Sequence, residues 1–327
     1  MNLNIRKIAI DATLALAGVL LLSGHAAAQA YPNKPITFVY PYPAGAGLDI
    51  ALRTASQDAS RRLGQPIVFV SRPGAGGRVG FESLMRSPND GYTIGAATNA
   101  IAVFQPLIDQ KLFVEPGKDY TAISLAIETP LVLVTGANSP FRDVKGLLAN
   151  AKANPGKLNG GSSGVGTGSH LGIEMINVMG GTNIVHIPFN GATAVLVAAM
   201  SGDISMVFSS AETKPHIASG KLIALATSGS KRWHEFPNVP TMSEAGLTGF
   251  VNGSWTGIVG PAGMPREMVL RLTQAYTEAL KTVEVREKLE GAGWVILAGS
   301  PEEFIALARD DMERFRPIIK AANLKMN

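Results

Sequence analysis

Cysteine is absent from the 327 residues of the sequence, which excludes thiol catalysis, iron–sulfur clusters and the usual structural zinc sites. Charged residues are also few, at 17%, whereas hydrophobic residues make up 46%, so the chain can bury a large core without disulfides. The charges are scattered, and the basic stripe of a nucleic-acid-binding protein is missing. No H-x-x-H, H-E-x-x-H or carboxylate cluster indicates a metal site. We therefore expect no metal, no cofactor and no nucleic-acid partner.

Residues 1–30 have the layout of a secretory signal peptide. A short basic start precedes an apolar stretch over residues 12–22, and small residues then lead into an A-x-A cleavage site at residues 28–30. The apolar stretch is shorter than the roughly 20 residues that a membrane-spanning helix needs. We expect export to the periplasm, with cleavage before Tyr31. The remaining chain, about 300 residues long, suits two domains.

Short β-branched runs alternate with segments of helical period through the rest of the chain. ITFVY (36–40) precedes DIALRTASQDASRRL, and LVLVT (131–135) precedes DVKGLLANAKAN. Such alternation predicts an α/β fold with parallel sheets covered by helices on both faces. Near the C-terminus, Ser300 followed three residues later by Glu303 is a capping box, which predicts the start of a helix.

The stretch FVYPYPAGAGLDI (38–50) places nearly bare backbone at the start of a helix. A strand ends at Tyr40 or Tyr42, a helix begins near Asp49, and residues 44–47 between them are alanines and glycines. The first amides of a helix have no partner inside the helix, and the helix dipole favours negative charge there. This loop can therefore hold a carboxylate without any arginine.

A second loop of this kind, GGSSGVGTGSH (160–170), also lies between a predicted strand and a predicted helix. It adds the hydroxyls of Ser162, Thr167 and Ser169 to its bare amides. If the two halves of the chain face each other, the two loops can hold the two ends of one anionic ligand. Either loop alone is equally compatible with an ordinary strand-to-helix connection, in which glycine is common.

Two motifs resemble those of other protein classes. Residues 160–164 match G-x-S-x-G, the nucleophile elbow of α/β hydrolases, which makes Ser162 a candidate nucleophile. A hydrolase also needs a later acid and a later histidine, and none of the histidines that follow lies in a context that singles it out. RPGAGGRVG (72–80) has the spacing G-x-G-x-x-x-G instead of the dinucleotide spacing G-x-G-x-x-G, so it does not indicate a nucleotide site.

Seven ordered motifs cover nearly the whole chain from Tyr31 onward. They are YPNKPITFVYPYPAGAGLDI; LGQPIVFVSRPGAGGRVG; PNDGYTIGAATNA; SPFRDVKGLLANAKANPGKLNGGSSGVGTGSHL; IVHIPFNGATAVLVAAMSGDISMVF; HIASGKLIALATSGSKRWHEFPNVPTMSEAG; and SWTGIVGPAGMP. With these motifs the chain resembles the Bug-type periplasmic solute-binding proteins, the receptors of tripartite tricarboxylate transporters.

The resemblance implies an α/β fold of the two-domain periplasmic-binding-protein (venus flytrap) type, each domain a mainly parallel sheet flanked by helices. It implies that residues 31–128 plus 250–327 form domain 1 and that residues 129–249 form an inserted domain 2. The sequence has no flexible linker between the halves, so we expect ordered crossing segments near residues 128–134 and 249–260.

In this family the carboxylate is held largely by backbone amides and ordered water, from the first loop and its counterpart in domain 2. The resemblance implies ligand contacts at Tyr42, Pro43, Ala44, Gly45, Ala46, Gly47, Asp49, Asn99, Ala100, Ser162, Ser163, Gly164, Gly166, Thr167, Gly168, Ser169, His170, Phe189, Asn190, Gly191, Ala192 and Ser210. Leu48 stands where relatives mostly have threonine, and Phe189 and Asn190 where they often have tyrosine with lysine or arginine. These departures favour an aromatic or larger apolar carboxylate.

The sequence thus predicts a monomeric periplasmic receptor without catalytic residues. The resemblance implies that this receptor captures a small organic acid, with aromatic and dicarboxylic acids as candidates, and delivers it to the membrane subunits of a tripartite tricarboxylate-type transporter. Two alternatives stay open. One is a secreted serine hydrolase that uses Ser162, and the other is a periplasmic ligand sensor that signals to a membrane kinase.

Overall fold

The structure, a computed structural model, describes residues 31–109, 114–189 and 191–324. The predicted signal peptide and Asn190 lie outside these residues. Within them the chain forms two β-sheets with helices packed against both faces. None of the helices in these ranges combines the length and the apolarity that a membrane crossing needs.

Eleven strands are divided between two sheets in the described part of the chain. The first sheet contains β1 (Ile36–Tyr40), β2 (Ile67–Ser71), β3 (Thr93–Thr98), β4 (Tyr120–Pro130), β10 (Gly253–Pro261) and β11 (Val295–Gly299). The second contains β5 (Val132–Gly136), β6 (Asn159–Ser162), β7 (Val185–Pro188), β8 (Met206–Ser209) and β9 (Leu222–Thr227). The strand orders are β11-β4-β10-β3-β1-β2 and β7-β6-β8-β5-β9.

Ten α-helices lie in the described residues. They are α1 (Gly47–Leu63), α2 (Arg78–Met85), α3 (Gln105–Ile108), α4 (Val144–Ala153), α5 (Gly168–Gly180), α6 (Ala192–Ser201), α7 (Lys214–Ala218), α8 (Arg266–Lys281), α9 (Val283–Gly291) and α10 (Pro301–Ala321). A π-helical turn, Ala100–Phe104, connects β3 to α3.

Both sheets are mixed, which corrects the expectation of mainly parallel sheets. The strand-helix-strand units give parallel pairs, β1 with β2 and β3, and β6 with β7 and β8. The remaining pairs, which involve β4, β5 or β10, are antiparallel. The reason is topological: β4 and β5 carry the chain out of the first sheet and into the second, β10 brings it back, and β4 and β10 therefore run in opposite directions.

Alternate residues of the strands pack into different apolar clusters, so both sheet faces are buried. In β1, Phe38 and Tyr40 belong to one cluster and Val39 to another. In β5, Leu133 lies in one cluster, and Val132 belongs to a third. Burial on both faces explains why these strands appear in the sequence as continuous apolar runs instead of alternating patterns.

Side-chain caps fix some helix starts, whereas others, including the start of α1, have none. The predicted capping box is confirmed: the Ser300 hydroxyl accepts from the Glu303 amide (3.2 Å), and the Glu303 carboxylate accepts from the Ser300 amide (2.7 Å). Asp143 caps α4 by accepting from the Gly146 amide (2.6 Å). At α1 the N-cap residue is Ala46, which has no side-chain acceptor, so the first amides of α1 are left uncapped.

The two segments that connect the sheets are hydrogen-bonded to each other through Ser228. Its amide donates to the Leu131 carbonyl (2.7 Å), and its hydroxyl accepts from the Leu131 amide (2.9 Å). The Ser228 carbonyl accepts from the Asn252 amide (2.8 Å), while its hydroxyl donates to the Asn252 carbonyl. Leu131 follows β4 and Asn252 precedes β10, so this network holds together the two places where the chain leaves and re-enters the first sheet.

Candidate ligand-binding site

A cavity of about 290 Å³ lies between elements of the two sheets. This volume is at the lower end of the range of about 300–1,000 Å³ that is typical of small-molecule sites. The first sheet and its crossing segments contribute Tyr42, Leu48, Thr98, Asn99, Ala100, Thr129, Leu131 and Ser254. The second contributes Ser163, Thr167, Gly168, Ser169, Ala192, Val195, Phe208, Ser209, Ser210 and Glu212. We call it the inner cavity.

The first glycine loop brings the uncapped start of α1 to the cavity. The first hydrogen bond inside the helix runs from the Ile50 amide to the Ala46 carbonyl (3.1 Å), so the amides of Gly47 and Leu48 precede it. Asp49 is buried and accepts from the Gly45 amide (2.8 Å) and from Nε of Arg53 (2.9 Å). Asp49 therefore orders the loop, and the amides after Ala46 are the ones available to an anion.

The second glycine loop is largely satisfied by its own side chains. The Thr167 hydroxyl donates to the Gly164 carbonyl (2.7 Å), and the Ser169 hydroxyl accepts from the Ser163 amide (3.2 Å). The first main-chain hydrogen bond of α5 runs from the Leu171 amide to the Thr167 carbonyl (3.0 Å). The amides of Gly168 and Ser169 precede that bond, and both residues line the inner cavity. These two amides are the donors that this loop offers to an anion.

A histidine pair supports the second loop from behind. The Ser162 hydroxyl is fully buried and lies 2.6 Å from Nε2 of His186, whose ring stacks on that of His170 at 3.6 Å between centroids. Nδ1 of His170 accepts from the Gly166 amide (3.1 Å). Burial, together with the neighbouring His170, lowers the pKa of His186 to about 4. The His186 ring is therefore neutral near pH 7. Stacked on His170, it packs against the second glycine loop.

This pairing bears directly on the nucleophile-elbow motif. The sequence did not single out His186, and the structure places it next to Ser162. Neither residue lines the inner cavity, and the Ser162 hydroxyl is also hydrogen-bonded within its own turn, to the carbonyl (3.0 Å) and amide (3.2 Å) of Gly164. Ser162 is thus part of the loop's internal framework.

The opposite wall of the cavity is formed by the end of β3 and by Tyr42. The Tyr42 hydroxyl is hydrogen-bonded to that of Thr98 (2.7 Å), and burial raises the pKa of Tyr42 to about 12, so it stays neutral. Nδ2 of Asn99 donates to the Gly253 carbonyl at the start of β10 (2.7 Å). Ala100 follows as the first residue of the π-helical turn. Tyr42, Thr98 and Asn99 therefore give this wall hydrogen-bonded polar side chains.

The predicted ligand contacts divide into two groups. Nine line the inner cavity: Tyr42, Asn99, Ala100, Ser163, Thr167, Gly168, Ser169, Ala192 and Ser210. Twelve do not line it. Pro43, Ala44, Gly45 and Ala46 form the exposed turn before α1, and Gly47 lines the second cavity described below. Asp49, Ser162 and His170 are buried behind the loops, and the other four are Gly164, Gly166, Phe189 and Gly191. Asn190 lies outside the described residues. Contact with a ligand stays a prediction for all of them.

Several lining residues were not in the predicted set. They are Leu48, Thr98, Thr129, Leu131, Val195, Phe208, Ser209, Glu212 and Ser254. For some of them the sequence contains an indication: Thr98 directly precedes Asn99, Ser209 directly precedes Ser210, and Thr129 lies in a predicted crossing segment. Val195 and Phe208 had none, because an apolar residue of a core strand or helix cannot be told from a cavity wall by sequence.

A second, larger cavity of about 650 Å³ continues from the first. We call it the outer cavity. The two cavities share Leu48, Thr129, Ala192, Ser210 and Glu212, which therefore form the junction between them. Most of the remaining outer wall is apolar, with Ile50, Leu289 and Trp294, and it carries one cation, Lys288. Within the described ranges, no cluster of three or more histidine, aspartate or glutamate side chains could hold a metal.

Two α/β halves joined by paired crossing segments, with a cavity between them, define a binding protein of the periplasmic type. The chain belongs to the tripartite tricarboxylate transporter family receptors, whose family model matches residues 51–324. It is 30% identical to protein BugT of Bordetella pertussis over 335 aligned positions, which cover 100% of each chain. It is 32% identical to a protein from a tcbD–tcbE intergenic region of Pseudomonas sp. strain P51, covering 91% of this chain and 89% of the relative.

Solved structures of binding proteins share the fold. The periplasmic binding protein BugD is 26% identical, with a TM-score of 0.76, and the match covers 91% of this chain and 100% of BugD. A Rhodopseudomonas palustris protein solved with adipate has a TM-score of 0.79 at 26% identity, covering 90% and 99%. MatC of the same species, solved with malate, has a TM-score of 0.76 at 27% identity, covering 88% and 100%. The predicted family and the two-domain periplasmic binding fold are thereby confirmed.

Proposed function

We propose that this protein is a periplasmic receptor that captures a small organic carboxylate in the inner cavity and delivers it to a membrane transporter. One observation carries the proposal: the first turns of two helices, α1 and α5, line the same cavity from opposite sheets, and the amides of Leu48, Gly168 and Ser169 there precede the first main-chain hydrogen bond of each helix. Each end supplies free N–H groups and the positive end of a helix dipole. The lining contributed by described residues contains no lysine, arginine or histidine, so the amides are its anion-binding groups.

The relatives support the class of ligand. Two solved structures whose matches cover most of this chain contain dicarboxylic acids, adipate in one and malate in the other. A carboxylate is a planar anion that accepts several hydrogen bonds, and the amides of Gly168 and Ser169 with the hydroxyls around them can provide these. The apolar surfaces of Leu48, Val195 and Phe208 then contact the carbon skeleton of the acid.

We further propose that the two halves act as hinged domains. Domain 1 comprises residues 31–128 plus 250–327, and domain 2 comprises residues 129–249. The crossing segments that Ser228 holds together form the hinge in this proposal, because they are where the chain passes between the sheets. A ligand favours the closed form only by the difference between its contacts in the two forms, and the transporter recognises that closed form. In this reading the signal peptide exports the chain, and no bond of the ligand is made or broken.

A thermal-shift screen of the mature chain against mono- and dicarboxylic acids tests the proposal. A bound acid raises the melting temperature in a concentration-dependent way, because it binds the folded protein and not the unfolded chain. The matched control for each acid is its methyl ester, which keeps the carbon skeleton and loses the negative charge. We expect the melting temperature to rise with one or more of the acids and to stay unchanged with their methyl esters. A flat response over the whole panel would contradict a carboxylate receptor.

A further inference from the structure

We infer that Glu212 selects among carboxylic acids, so that this protein prefers a monocarboxylic acid with a hydrogen-bond donor at its other end. Amides, alcohols and amines are such donors. A dicarboxylic acid of the same length is disfavoured. The inference rests on the proposed function and makes it more specific. Its starting observation is that the inner cavity, as lined by the described residues, contains one ionisable carboxylate and no cationic side chain.

The Glu212 carboxylate is held in a defined orientation by the turn that follows β8. Its Oε1 accepts from the Ser209 hydroxyl (2.8 Å) and from the Ser210 amide (3.3 Å), and its Oε2 accepts from the Ser210 hydroxyl. An ionised carboxylate accepts about four hydrogen bonds in all. Three positions are used inside the turn, so one remains for a donor on a ligand. The group is an acceptor with a fixed place instead of a freely rotating surface side chain.

Glu212 lies where an anchored ligand must extend. It lines both the inner and the outer cavity and so lies at their junction. In this inference an acid anchored at the amides of Gly168 and Ser169 extends from the inner cavity towards this junction, because the junction residues also line the larger outer cavity. The chemistry of that end decides whether Glu212 attracts or repels it.

No nearby cation balances Glu212 in the described part of the chain. It forms no ion pair there, and the one cation of the outer cavity, Lys288, is already paired with Glu284 (2.9 Å). A second ligand carboxylate at the junction therefore meets a like charge, which is unfavourable, whereas an amide, hydroxyl or ammonium group donates to Oε2. Since Glu212 is exposed to solvent, water and salt screen this repulsion, and it discriminates without excluding diacids absolutely.

Isothermal titration calorimetry with matched acids tests the inference. The probes are succinate, glutarate and adipate, each compared with its monoamide, which has the same shape, one charge less and an added donor. We expect the monoamide to bind the wild-type mature chain about tenfold more tightly than the diacid for the best-fitting length. Glu212→Gln keeps the acceptor oxygen for the serines and removes the charge, so it should bring the two affinities together. Raising the salt concentration should narrow the wild-type difference.

Glu313→Gln is the matched control, because it removes one exposed carboxylate from α10, outside both cavity linings. It should keep the wild-type preference, and the melting temperature of each unliganded variant reports its folding. Equal or tighter binding of the diacids by the wild type, or an unchanged ratio in Glu212→Gln, would overturn the inference and leave the proposed function in place. Failure of both diacids and monoamides to bind, with a flat screen of other acids, would overturn the proposed function and the inference with it.

Discussion

The side-chain amide of Asn252 donates a hydrogen bond to the main-chain carbonyl of Gly168 over 2.7 Å. Asn252 is fully buried in the crossing segment before β10. Its main chain is hydrogen-bonded to Ser228, which is hydrogen-bonded in turn to the main chain of Leu131. Gly168 begins α5 and lines the inner cavity. The crossing segment before β10 is therefore hydrogen-bonded directly to the peptide group between Gly168 and Ser169, whose N–H we propose as an anion donor.

Replacing Asn252 by alanine should weaken both folding and ligand binding. The variant loses a buried hydrogen bond, and we expect the free energy of unfolding to fall by about 1–3 kcal/mol. Affinity for the acid should fall about tenfold, because Gly168 is no longer fixed to the crossing segment. Denaturant unfolding and calorimetry measure the two effects. Asn89→Ala is the control, since Asn89 donates to the Gly263 carbonyl (2.9 Å) at an exposed position and should leave affinity unchanged. Unchanged affinity in Asn252→Ala would break the proposed coupling.

A side chain at position 168 should block the site without unfolding the protein. A Cβ at Gly168 would lie 3.4 Å from Cδ1 of Leu131, which is ordinary contact, so Gly168→Ala should fold normally. Gly168→Val adds bulk in front of the amides and should lower affinity by about a hundredfold, whereas Gly291→Ala, where the space is open, should change nothing. Gly45 is a poorer test, because its φ of +90° strains any side chain. Wild-type affinity in Gly168→Val would remove this loop from the site.

Ser162 should behave as a structural residue. Ser162→Ala removes the hydrogen bond to His186 (2.6 Å) and should lower the free energy of unfolding by about 1–3 kcal/mol. We expect no turnover of ester substrates by the wild-type protein, because Ser162 is buried away from the cavity. An ester-hydrolysis assay on purified protein checks this. Hydrolysis that disappears in Ser162→Ala would support a hydrolase instead.

The stability of the protein should depend on pH through His186. Its pKa falls from the ordinary 6.5 to about 4 in the folded protein, because of burial and the adjacent His170, and nearby Glu174 opposes this only in part. The unfolded chain therefore takes up the proton first, and the free energy of unfolding should decrease as the pH drops from about 6.5 towards 4. His186→Gln should flatten this part of the curve, and His234→Gln, at an exposed position, should not. Identical pH profiles for wild type and His186→Gln would show that His186 does not titrate in this way.

The sequence predicted the elements that depend on local rules. The capping box at Ser300 and Glu303 fixed a helix start, and the bare residues after Tyr42 marked the uncapped start of α1. The mixed character of the sheets could not be predicted in this way, because the direction of β10 depends on where the chain returns after more than one hundred residues. Strand pairing at such a separation has no local signal.

The sequence predicted half of the residues that line the inner cavity and missed the other half, while ligand contact itself stays a prediction. Loop positions such as Gly168 and Ser169 were identified because small residues at a helix start have a physical meaning. The contact between Ser162 and His186 was not, since it depends on two neighbouring strands, β6 and β7, in register. Glu212 was missed because its place in the cavity also depends on distant parts of the chain. From the sequence alone, one acidic residue after a strand cannot be distinguished from an ordinary solvent-exposed side chain.

A crystal structure of the mature chain with a bound acid would show directly which groups hold the carboxylate. The acid should be the one that gives the largest thermal shift in the screen. We expect its carboxylate to lie in the inner cavity, within hydrogen-bond distance of the amides of Gly168 and Ser169, with the start of α1 facing it from the other sheet. An acid bound elsewhere, with neither loop in contact with it, would contradict the proposal that these helix-start amides bind the carboxylate.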